Sequence, residues 1–259
     1  MTVHDLPAFF TVHRFETIGS SNDEAKRRAE DGAPEGTLIW AGEQTEGRGR
    51  RGRSWSSPPG NLYLSVVLRP AVAMSAAAQL GFVCAIALGE AVAALIPDGA
   101  RRIRYKWPND LLVDGAKISG ILLEAGPLRV SDDGGHGPSF LVAGIGVNIA
   151  SAPADTPYRA TPLTAAGAAG LTPESLLQRF AVRFEAGYRV WCDEGFARVR
   201  GSWLAAGHEA GDKLRIRIAE NEVVDGRFVD LDPDGALLLD LASGERRRIS
   251  AGDVAMIAA

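Results

Sequence analysis

Cysteine is nearly absent from this chain of 259 residues, and its two examples, Cys84 and Cys192, lie far apart. Histidine is almost as scarce, with His4, His13, His136 and His208 scattered along the sequence, so neither a disulfide framework nor a metal-ligand spacing is present. A reducing, cytoplasmic setting is expected. The opening MTVHDLPAFF has neither a charged leader nor an apolar core of secretory length, which argues against a signal peptide. Long hydrophobic runs are also wanting. The one candidate membrane span, Met74 to Ile96, contains Gln79 and Glu90 and repeats Leu80, Val83, Cys84, Ala87, Leu88, Ala91 and Leu95 at spacings of three and four. A span needs ~20 predominantly apolar residues without such a one-sided pattern, so this stretch reads as a core helix with one buried face. With 46% hydrophobic and 23% charged residues, the chain reads as soluble and globular, with no membrane partner.

Two further scarcities are local. Between Gly47 and Gly89 there is no Asp or Glu, yet this stretch opens with GRGRRGR and so carries Arg48, Arg50, Arg51 and Arg53. Because the whole chain has formal charge -4, the cluster is no by-product of a basic surface. Lysine is rarer still: of 28 basic residues four are lysines, at positions 26, 106, 117 and 213. Two of these lie within the twelve residues KWPNDLLVDGAK, where a compact, rotatable ammonium has a use that the planar guanidinium cannot fill.

Along the chain, Thr11 to Ile18 alternates as a strand, and Ser20, Ser21 and Asn22 are N-cap residues for a polar helix to about Glu30. Strands are expected at Thr37 to Ala41 and Asn61 to Leu68, then, after the Ala-rich helix, at Ile103 to Lys106, Leu111 to Val113 and Lys117 to Ala125, the last pairing back through Asp114-Gly115. Ser131 to Ser139 reads as a Gly-rich surface loop. Phe140 to Ile149, FLVAGIGVNI, reads as an interior strand in which Gly144 and Gly146 allow either tight packing or close approach of a ligand. Helical patterns resume after Thr172-Pro173. From about Gly211, short strands broken by Asp232-Pro233-Asp234-Gly235 and Ser243-Gly244 suggest a small all-β unit. The expected division is residues 1–206 and 207–259.

Gly47, Gly49 and Gly52 satisfy G-x-G-x-x-G, but Pro58 and Pro59 forbid the helix that a dinucleotide site needs, and no acid follows ~20 residues on. No G-K-[ST] ends the loop as in a phosphate loop. What remains is a solvated loop, a nucleic-acid patch, or a lid whose N–H and guanidinium groups close over phosphate and carboxylate oxygens. Trp107-Pro108 reads as a rigid extended segment that presents Asn109 and Asp110 close to Lys106, or else as a β-turn with an incidental salt bridge.

Taken in order, GRGRRGRSWSSPPGNLYLS, KWPNDLLVDGAKISGILLE and GIGVNI resemble the biotin protein ligases, also called biotin–[acetyl-CoA-carboxylase] ligases, from about Phe15 to the end. The resemblance implies an α+β fold: a mixed sheet flanked by helices, as in class II aminoacyl-tRNA synthetases, with a small C-terminal SH3-like β-barrel. It implies biotin contacts at Ser20, Ser21, Asn22, Gln44, Gly47, Arg48, Gly49, Arg50, Lys117 and Gly120. Nucleotide contacts fall at Arg50, Arg51, Arg53, Trp55, Lys106, Asn109 and Asn148, with Trp55 near adenine and Glu124 in support. Lys117, Lys106, Asp110 and Arg48 carry the catalysis, and Asp110 is the candidate for orienting or deprotonating the acceptor lysine. Gly19 replaces the acid of the family's D-S-T-N segment and Ser21 its Thr. The nucleotide-contacting Arg that some relatives carry near the C-terminus has no match at Ser250-Ala251-Gly252, so no ATP contact is assigned there. Implied substrates are biotin and ATP, the latter with Mg²⁺ (no protein metal site), and the implied partner is a biotin carboxyl carrier protein or carboxylase acceptor domain. Met1 to His13 is too short for a DNA-binding domain, so no DNA contact or repression is expected. Either a monomer or a homodimer is compatible. The rivals are a lipoate ligase and a nucleic-acid-binding module using the Arg loop with Arg246, Arg247 and Arg248.

Overall fold

A computed structural model describes residues 6–130 and 136–256 of the chain. The first layers come from β1 (Thr11–Ile18), α1 (Ser21–Glu30), β2 (Thr37–Gln44) and β3 (Leu62–Leu68). Ser20 caps α1 by accepting the Asp23 N–H, as its position before a polar helix requires. Next come α2 (Met74–Ala77), α3 (Leu80–Ala93), α4 (Gly99–Arg102), β4 (Ile103–Lys106), β5 (Asp110–Val113), β6 (Ala116–Ala125), β7 (Leu128–Val130), β8 (His136–Pro138) and β9 (Leu141–Val147). Two helices, α5 (Pro173–Glu194), capped by Thr172, and α6 (Phe196–Leu204), precede β10 (Lys213–Ala219), β11 (Glu222–Leu231), β12 (Leu237–Asp240), β13 (Arg246–Ile249) and β14 (Asp253–Met256).

Seven strands form one mixed sheet in the order β1-β2-β3-β9-β6-β5-β4, with β1 and β2 parallel and every other neighbour antiparallel. β9 lies at its centre, which is why its sequence LVAGIGV carries no polar side chain. α1 covers one face through Ala25 and Ala29, packed with Ile39, Val67 and Val142. α3 covers the other and is itself covered by α5 and α6. Eleven of the fourteen residues of α3 are buried. The expected single buried face is therefore corrected: a helix between a sheet and two other helices is buried nearly all round, which is also why it is apolar enough to cross a membrane by composition.

The expected extended segment at Trp107-Pro108 is instead a three-residue turn, because Lys106 and Asp110 sit opposite each other in the β4–β5 ladder. Of the Gly-rich loop at 131–139, His136 to Pro138 pairs with β7, and residues 131–135 lie outside the described residues, as does His4. The C-terminal strands form a five-stranded antiparallel sheet ordered β13-β12-β11-β10-β14. Leu88 is fully buried in α3, so Leu88→Ala should lower stability by about 2–5 kcal/mol, read as a lower denaturant midpoint at unchanged slope.

Candidate active site

A cleft of about 470 Å³ opens across β9, β6 and β5, between the N-terminus of α1, the Arg loop and β14. Its floor follows from register. Gly146 on β9 pairs with Gly120 on β6, and Gly120 pairs with Asp110 on β5, so two glycines leave a trough that leads to a carboxylate. The tight-packing reading of the GIG segment holds. A Cβ on Gly144 would come within 2.0 Å of Asn22 Oδ1, and one on Gly146 within 2.5 Å of the Trp55 indole.

One end of the trough is a neutral hydrogen-bonding network. Ser21 N–H donates to Gln44 Oε1 at 2.8 Å, Ser21 Oγ and Ser65 Oγ are 2.8 Å apart, and Ser65 Oγ donates to Asn22 Oδ1 at 2.6 Å. Asn22 Nδ2 then donates to Glu124 Oε2 at 2.8 Å, and Arg48 bonds both Glu124 and Asp23. Ser20, Ser21 and Asn22 are buried.

The other end is cationic. Asp110 accepts Lys106 Nζ at 2.7 Å and Lys117 Nζ at 2.6 Å. Lys117 reaches it because the β5–β6 register slips between Leu111 and Leu112, which face Ser119 and Lys117 and skip Ile118. Strand side chains alternate faces, so this bulge turns Lys117 to the side of Gly120. Burial opposes the Asp110 charge, but the two ammoniums outweigh it and hold its carboxyl below the usual range. An acid so stabilised is a weak proton acceptor and both its oxygens are taken. Asp110 thus anchors the two lysines.

The Arg loop folds back on itself, with Gly49 N–H donating to Arg53 O and Trp55 N–H to Gly47 O; Arg51 and Gly52 adopt left-handed φ of 56° and 71°. Gly47 is needed for this packing, since a Cβ there would meet Trp55 O at 2.4 Å. Arg50 donates to Asn109 Oδ1 and to Gly252 O, and Arg53 bonds both oxygens of Asp253 at 2.9 Å. Arg50 and Arg51 lie 3.5 Å from the same carboxylate. The loop's acid is thus supplied by Asp253 of β14, which follows the Ser250 to Gly252 stretch.

Fourteen of the seventeen expected site residues line the cleft; Gly47, Arg51 and Asn148 do not. Asn148 is buried just past β9, with its main chain bonded to Ile118 and Leu163. Trp55 lies over Gly146 and Gly120, so the loop aromatic covers the trough floor. Missed were Ser65, Tyr158 and Asp253. Ser65 had a signal, a serine inside an apolar strand; Tyr158, whose ring stands 5.0 Å from Lys117 Nζ and 5.9 Å from Lys106 Nζ, had none.

The profile of the biotin/lipoate A/B protein ligase family matches residues 53–205, and that of the biotin protein ligase C-terminal domain matches 215–256. A biotin–[acetyl-CoA-carboxylase] ligase of Paracoccus denitrificans is 39% identical over 91% of this chain and 96% of its own length. The chain belongs to the biotin protein ligase family. Among other family members, the bifunctional ligase/repressor of Bacillus subtilis is 31% identical over 91% of this chain and 71% of itself. The biotin protein ligase of Aquifex aeolicus, solved with biotin and ATP, shares the fold at TM-score 0.77 and 24% identity, covering 96% and 99% of the two chains. The Leishmania major ligase, solved with biotinyl-5-AMP, aligns at TM-score 0.62 and 27% identity over 93% and 99%.

The buried carboxylate between two lysines yields a prediction. Asp110→Asn should cost about 3–5 kcal/mol at neutral pH, since it leaves two ammoniums without their counterion. A depressed pKa in the folded state stabilises above the unfolded value and loses that contribution as pH falls through the folded one. The gap between parent and variant in urea midpoint should therefore be full at pH 7 and shrink below about pH 4.

Proposed function

We propose that this chain activates biotin with ATP to biotinyl-5'-adenylate and then transfers the biotinyl group to a lysine of a carboxylase acceptor domain. The observation that carries this reading is the trough itself, with neutral donors and acceptors at one end and two lysines on one carboxylate at the other. A ureido ring offers both donors and an acceptor to Ser20, Ser21, Asn22 and Gln44. Biotin's carboxylate would then reach the Lys117 end, where the triphosphate lies beneath the Arg loop.

In the first step a biotin carboxylate oxygen attacks the α-phosphorus, a phosphorus–oxygen bond breaks, and pyrophosphate leaves. In the second, a neutral lysine amine attacks the acyl carbon, AMP departs with the bonding electrons, and the amine loses its proton. Both steps load negative charge onto oxygens, and cations already fixed by Asp110 and Asp253 stabilise that charge without reorganising. Mg²⁺ would accompany ATP as the counter-ion of its phosphates. ATP as substrate and two free cysteines support a cytoplasmic setting.

A lipoyl ring has no hydrogen-bonding groups and would leave the Ser21, Asn22 and Gln44 end unpaired, which disfavours it strongly. The nucleic-acid rival is weakened because Arg246, Arg247 and Arg248 are paired with Asp240, Glu222 and the Asp232/Asp234 pair.

Pyrophosphate release from ATP and Mg²⁺ should depend on biotin; release driven by lipoate instead would overturn the assignment. Lys117→Ala should slow adenylate formation by roughly 10²-fold or more, the scale of losing one charge-stabilising donor, in a single-turnover assay. Arg48 ties the loop to α1 and β6 through Asp23 and Glu124, so Arg48→Ala should raise leakage and hydrolysis of the adenylate more than it weakens biotin binding. Equal leakage from parent and variant would count against the lid.

A further inference from the structure

Lys106 ends β4, the edge strand of the large sheet, and an edge strand has N–H groups that need partners. Here the two residues that flank Lys106 find theirs in the segment leading to the C-terminal sheet. Tyr105 N–H donates to Ala206 O at 2.8 Å, as it would to a neighbouring strand. Trp107 N–H, one strand period further on, donates to no carbonyl but to His208 Nε2 at 3.3 Å. An imidazole thus stands where a strand partner would place a main-chain oxygen.

The imidazole is itself fixed. It is buried, with Trp203 and Phe228 packed at centroid distances of 5.9 and 5.5 Å. Accepting at Nε2 requires the ring proton on Nδ1, which faces Asp212 at 3.9 Å. Burial lowers its pKa to about 4, Asp212 opposing and Lys106 assisting, so the acceptor lone pair is present at neutral pH. The Trp107 indole is held from the same side: its Nε1–H donates to Gly235 O at 3.0 Å. That carbonyl belongs to the Asp232-Pro233-Asp234-Gly235 turn, in which Asp232 accepts main-chain N–H groups and both acids pair with Arg248. The turn motif and Arg248, which the reaction leaves unused, thus brace one tryptophan beside Lys106.

We propose that His208 is a positioning residue for Lys106, holding the turn after β4 so that the ammonium stays on Asp110 and ready for phosphate oxygens. The proposal rests on the adenylating activity inferred above. It separates the two ends of the trough: the Lys106 end depends on His208, whereas Ser20, Ser21 and Asn22 sit at the N-terminus of α1 and Gln44 on β2.

The test uses the full chain with two substitutions. His208→Leu keeps the packing against Trp203 and Phe228 but removes the acceptor; His208→Gln restores an acceptor near the Nε2 position. In the leucine variant KM for ATP should rise about tenfold, with biotin affinity, titrated without ATP, changed less than twofold, and the glutamine variant should regain most of the loss. Leucine and glutamine variants that behave alike, or a leucine variant that loses biotin and ATP binding together, would overturn the proposal. Should the leucine variant not fold, His208→Met carries the test, since an unbranched apolar chain fills the space without a nitrogen acceptor, and an unchanged KM for ATP there refutes the role of His208. A parent enzyme without biotin-dependent pyrophosphate release would refute the activity, and a parent with it but indifferent variants refutes only the role of His208.

Discussion

The carboxylate of Asp110, shared between Lys106 and Lys117, is the contact on which the site depends. It converts two like charges into a fixed pair, and it does so at the junction of β4, β5 and β6. The ladder sets Lys106 opposite Asp110, the bulge at Ile118 brings Lys117 to the same face, and Gly120 beside them leaves the space that these cations then serve. Removing the carboxylate would undo stability and site together, because a buried charge group is expensive unless each member is matched.

The Arg loop works on a similar principle with exposed partners. Asp23 and Glu124 hold Arg48 near the neutral end, while Asp253 gathers Arg50, Arg51 and Arg53 near the cationic end. These ion pairs are partly solvated, so each is weak and exchangeable. Weak contacts of this kind exchange partners more readily than a packed core can be opened. The C-terminal sheet then has two attachments to the site, Asp253 on the lid and the clasp around Trp107.

Much of this was legible in the linear chain. Strand alternation, the Ser20 cap, the Asp114-Gly115 turn and the scarcity of lysine pointed to the elements and to the two motif islands. The family resemblance then drew together glycines, lysines and arginines that no periodicity relates. Reading went astray where a local pattern had two tertiary outcomes. α3 carries a one-sided repeat yet is enclosed on several sides, and Trp107-Pro108 could continue a strand or turn it.

Sequence alone determined the kinds of groups available and their order, because propensity, turn chemistry and motif spacing act over a few residues. Tertiary structure decided which of them meet. Arg53 and Asp253 are two hundred positions apart, and nothing between them in the chain announces their bond. Tyr158 over the lysines, Ser65 against Asn22 and His208 under Trp107 are likewise products of register and packing between distant segments. The acid-free stretch from Gly47 to Gly89 shows the division plainly. Its lack of carboxylates is written in the chain, and the acids that balance its arginines come from elsewhere in the fold, where they leave room for a phosphate to take their place.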